Sequence, residues 1–77
     1  MNTNTPKPPK VVVAPEGCNE YLTAGKEYPV AEICDGYSET FGYGFAIIND
    51  YGEYTGANEI SSAHLKGGNW IIKEREQ

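Results

Sequence analysis

Positive charge is scarce in the body of this chain. Between Val11 and Ile72 only Lys26 and Lys66 face nine carboxylates, a balance of −7, while the whole 77-residue chain carries −5. A surface of that sign repels a phosphate backbone and attracts a basic one, so a nucleic-acid-binding barrel is the disfavoured alternative.

Catalytic and metal-binding side chains are scarce too. His64 is the only imidazole. Ser61 and Ser62 precede it, but no nucleophile motif surrounds it, and it reads as a turn histidine bonded to a nearby carbonyl. No catalytic residue is assigned, and the expectation is a non-enzyme. Cys18 and Cys34 stand far apart, with no second ligand two to four residues from either. That spacing excludes the paired-ligand pattern of small zinc domains, so no metal and no cofactor are expected. "GYGF" and "GGNW" lack the lysine and the strand-to-helix setting of a phosphate loop.

Long apolar runs are missing as well. "MNTNTPKPPK" has no signal core and "VVVA" is too short to cross a membrane, which points to a cytoplasmic protein with free thiols. Nine glycines and five prolines recur too often to leave room for a helix of three turns.

What remains favours strands. Residues 1–9 read as a disordered tail, 10–74 as one all-β domain and 75–77 as a short C-terminal tail. "KVVVA" is the first strand, stopped by Pro15. "KEYPV" is the second, an edge or bulged strand because Pro29 has no N–H, with Ile33 out of phase beyond it. "CDGYSETFGYG" reads as a mobile loop. "FAII" is the third strand, with Phe45 and Ile47 on one face and Ala46 and Ile48 on the other. "NDYGE" is a tight turn closed by Gly52, "EYTGANEI" the returning strand, and "NWIIK" the last. "SSAHL" suits a single 3₁₀ turn directed by its serine hydroxyls, with Gly67 and Gly68 reversing the chain after it. The expected architecture is a small, strongly bent five-stranded barrel with a one-turn 3₁₀ helix before its last strand.

This order, with "LTAGKEYPV" followed by F-x-I-I-N-D-x-G-E, resembles the Src-homology-3-like barrel. It is similar to small proteins of tailed bacteriophages and prophages over about residues 11–60. The added "SSAHLKGGNWIIKEREQ" departs from their pattern. The resemblance implies the barrel and a phage origin, and carries no general activity. Recognition of proline-rich ligands is not supported, because the third strand opens with Phe45 and the only tryptophan is Trp70.

Aromatic side chains, by contrast, are abundant. Tyr28, Tyr54 and Trp70 are expected to pack the core, leaving Tyr37, Tyr43 and Tyr51 in loops. Asp35 and Glu39 flank Tyr37, while Asp50 and Glu53 flank Tyr51. Carboxylates interleaved with tyrosines suit contact with a basic protein surface. The expectation is a module that binds, and most simply inhibits, a host or defence protein through Asp35, Tyr37, Glu39, Tyr43, Asp50, Tyr51 and Glu53. A structural or homo-oligomeric phage component is the further alternative.

Overall fold

The structure, a computed structural model, describes residues 5–62, 65 and 68–76. Among the described residues six strands follow one another: β1 (Pro9–Val13), β2 (Glu27–Pro29), β3 (Glu32–Ser38), β4 (Gly42–Ile48), β5 (Tyr54–Asn58) and β6 (Ile71–Arg75). They form two antiparallel three-stranded sheets, β2-β1-β6 and β3-β4-β5. The all-β class is as expected. The count of five is corrected to six, and the two sheets do not join into a closed barrel.

The sixth strand has a specific origin. The Val30 amide donates to the Lys10 carbonyl, whereas the next amide, Ala31, donates to the Ala46 carbonyl. One extended segment therefore leaves the first sheet and enters the second between two adjacent residues, which splits it into β2 and β3. Beyond that corner, the segment expected to be a loop is instead most of β3, the β3–β4 turn and the start of β4. Register shifts on either side of Asp35 bend β3. Such irregularity discourages pairing with another chain along an open edge.

β2 is an edge strand, so Pro29 leaves no internal ladder bond unmade. At the other edge of this sheet, Lys73 of β6 pairs with Glu27 of β2 across β1. Of residues 1–9, expected to be a disordered N-terminal tail, 1–4 lie outside the described residues, Pro6, Lys7 and Pro8 accept hydrogen bonds, and Pro9 begins β1. Tyr43 Oη donates to the Pro6 carbonyl at 2.7 Å, Arg75 to the Lys7 carbonyl at 2.7 Å, and the Glu76 amide to the Pro8 carbonyl at 2.8 Å.

The core lies between the sheets. Phe45 and Ile47 alternate inward from β4 and meet Val12, Ala14, Leu22, Tyr28, Leu65 and Trp70. Trp70 stands edge-on to Phe45 at 5.7 Å and to Tyr28 at 6.1 Å, an arrangement the ring quadrupoles favour. Tyr54, expected in this core, is 58% exposed. It points to the outward face of β5, in the row with Gly56 and Asn58.

After β5 the chain returns through Ser61, at φ 56°, and a Ser62–Gly68 bridge; the Trp70 amide then bonds the Glu59 carbonyl. His64 and the Gly67 part of the expected reversal lie outside the described residues. So does part of the expected 3₁₀ turn, and that helix is not established. No described helix is long and apolar enough to cross a membrane.

Candidate functional site

The β4–β5 turn is built by one side chain. Asn49 Oδ1 accepts the Tyr51 and Glu53 amides at 2.9 and 3.0 Å, its amide nitrogen donates to Thr55, and Gly52 at φ 79° closes the turn. These bonds leave Asn49 buried and satisfied.

Asp50 is equally committed. Its carboxylate accepts Lys26 Nζ at 2.7 Å, Tyr28 Oη at 2.8 Å and Thr23 Oγ1 at 2.6 Å, while its amide donates to the Tyr21 carbonyl. Chiefly the Lys26 bond, then those from Thr23 and Tyr28, hold its pKa down to about 2. The same bond raises Lys26, and burial is the main cause of the rise at Tyr28. Asp50 thus clasps the loop 14–26 to the turn. Tyr51 beside it is 64% exposed and meets Tyr21 edge-on at 5.3 Å. Glu53 completes this end.

The other expected residues stand elsewhere. Asp35 and Tyr37 are on β3 and Glu39 is in the β3–β4 turn, all exposed. Tyr43 is a buried β4 residue rather than a loop residue, with its hydroxyl on Pro6 and its ring 5.5 Å from that of Tyr37. The two turns lie at opposite ends of β4, a seven-residue strand, which separates them by roughly 20 Å. The expected residues therefore form two groups: Asp35, Tyr37, Glu39 and Tyr43 at one end, Asp50, Tyr51 and Glu53 at the other.

The carboxylates differ in their pairing, and at the Asp50 end Asp50 is paired whereas Glu53 has no cation among the described residues. Among the described residues, Lys10, Lys26, Lys73 and Arg75 pair with Glu74, Asp50, Glu27 and Glu59 respectively. Of these carboxylates only Glu59 is buried; Arg75 grips it with two bonds of 3.3 Å. Among the described residues Glu32, Asp35 and Glu39 have no such cation, and all seven residues of β3 are exposed. Tyr37 at 38% and Phe41 at 46% exposure lie alongside them.

Glu32 and Phe41 were not picked out by sequence reasoning. Phe41 stands between Tyr37 and Tyr43, a spacing that signals an aromatic cluster. Glu32 pairs in register with Ala46, and together with burial its carboxylate raises the pKa of the Tyr54 phenol, which reaches toward it from β5. Both cysteines are free thiols, Cys34 exposed and Cys18 partly buried. No family model, no curated protein and no solved structure matches the chain.

Proposed function

We propose that the protein is a non-catalytic, phage-encoded interaction module that binds and modulates a host or defence protein presenting a basic surface. The docking element is β3 with the β3–β4 turn, through Glu32, Asp35, Tyr37, Glu39 and Phe41. The observation that carries this reading is the wholly exposed β3 strand, whose carboxylates have no cationic partner among the described residues, with the exposed rings of Tyr37 and Phe41 following them. Uncompensated charge steers a basic partner into register, and tyrosine and phenylalanine then supply contact area at little conformational cost. The β4–β5 turn is secondary, since Asp50 is occupied by the clasp.

The sheet orders, and a strand that changes sheets at Val30–Ala31, support the Src-homology-3-like reading of the fold. The test is affinity capture from bacterial lysate across graded salt, with a mobility shift on random DNA and RNA alongside. A polypeptide retained at low salt and released as salt rises is the expected result. Tight nucleic-acid binding with no polypeptide retained would overturn it.

A further inference from the structure

The outward face of the β3-β4-β5 sheet carries a cavity of about 260 Å³, with Cys34, Asp35, Asn58 and Ser62 in its wall and Gly44 and Gly56 in its floor. Side chains on this face alternate with Phe45 and Ile47, which point into the core. Gly44 faces Asn58 and Ala46 faces Gly56 across the β4–β5 ladder, so the sheet lacks bulk where it would ordinarily be covered. Glycine inside a strand marks a place where another group approaches the backbone closely.

Both glycines have a clear spatial consequence. A Cβ at Gly44 would lie 2.8 Å from Asp35 Oδ2, so the carboxylate rests on the strand only because no side chain is there. Among the described residues a Cβ at Gly56 would meet nothing within 4 Å. Ser62 is fully buried, and among the described residues its hydroxyl has no hydrogen-bond partner. A buried polar group in that state is expected to acquire one.

We propose that this cavity receives an arginine side chain of the basic partner. The inference rests on the function proposed above and names the group that enters the acidic face. The volume is below that of pockets which enclose drug-sized ligands, and suits a single side chain. Asp35 has no cation among the described residues, and Glu32 adds a second negative charge to the same face. A guanidinium carries only donors, so it pairs with Asp35 and offers a further N–H to the Ser62 hydroxyl.

The test is a nuclear magnetic resonance titration with the capped peptide Gly-Arg-Gly, using Gly-Lys-Gly and Gly-Gln-Gly as comparisons. Saturable shifts centred on the Gly44, Gly56 and Asn58 amides are expected, strongest with arginine and absent with glutamine. Gly56→Val fills the floor with a residue suited to strands, and Asp35→Asn removes the counter-charge. Each should weaken the arginine peptide by about tenfold while the circular dichroism spectrum is retained. Shifts spread over all carboxylates without saturation, or undiminished in Gly56→Val, would overturn the cavity assignment. A lysate partner that Gly56→Val still retains would also refute the cavity, leaving the acidic face standing. Loss of that partner in a folded Gly56→Val protein supports it.

Discussion

Tyr28 Oη donates to Asp50 Oδ1 at 2.8 Å and accepts the Thr23 amide at 2.8 Å, so one phenol joins β2, the loop 14–26 and the β4–β5 turn. The ring is in the core, with 2% of its surface exposed. Tyr28→Phe keeps the ring and deletes the hydroxyl, leaving the Thr23 amide without its acceptor. The expected loss is about 1 kcal/mol of unfolding free energy, measured by denaturant titration. Faster hydrogen exchange at the Thr23 and Asp50 amides should accompany it.

Acid should open the same clasp. The Asp50 carboxyl titrates at about 2 in the fold against an ordinary 3.8. A depressed folded value contributes stability that is fully present above the ordinary value and lost as pH falls toward the folded one. Between about pH 4 and 2 the bonds to Lys26, Thr23 and Tyr28 should therefore weaken. The Asp50 side-chain carbonyl resonance, followed through this range, should show a midpoint near the lower end. In Asp50→Asn this contribution should vanish from the pH dependence of stability.

Gly42 is fixed by two constraints at once. Its φ is 68°, and a Cβ there would lie 2.7 Å from Glu59 Cβ and 3.0 Å from Glu59 Oε1. Gly42→Ala should cost about 2 kcal/mol or more, from left-handed backbone strain together with displacement of a buried carboxylate. Denaturant melts of the Gly42→Ala and Gly56→Ala variants provide the comparison, since Gly56 meets neither obstacle.

Truncating the core should be costlier. Trp70→Ala removes the ring shared by Phe45 and Tyr28, at an expected cost of about 3–5 kcal/mol. For a domain of this size such a loss approaches the whole stability. The variant should be largely unfolded by circular dichroism at 37 °C, or lose its cooperative thermal transition.

Much of this was legible locally. The turn at 49–53 follows from asparagine and glycine chemistry within five residues, and the inward set of β4 follows from alternation at Phe45 and Ile47. Residues 34–44 were not legible as strands. Both faces of β3 are exposed, so no alternation marks it, and Gly36, Gly42 and Gly44 give the stretch the composition of a loop.

The site was half legible for the same kind of reason. Asp35, Tyr37 and Glu39 are neighbours in sequence and remain so in space. Asp50 carries the same local signature, but Thr23, Lys26 and Tyr28, from 22 to 27 residues away, occupy its carboxylate. Tyr43 is tied to Pro6, 37 residues distant. Neither pairing leaves a mark in the residues next to it.

In the proposed interaction the position of the negative charge matters rather than its amount. Two triple variants of equal net charge separate these: Glu32→Lys, Asp35→Lys and Glu39→Lys on the β3 side, against Glu16→Lys, Glu20→Lys and Glu76→Lys elsewhere. Capture from bacterial lysate with wild type and both folded variants, at one low salt concentration, is the direct measurement. The polypeptide retained by wild type should be lost with the β3 variant and kept by the control. Equal retention by both variants, or equal loss from both, would contradict the proposed interaction.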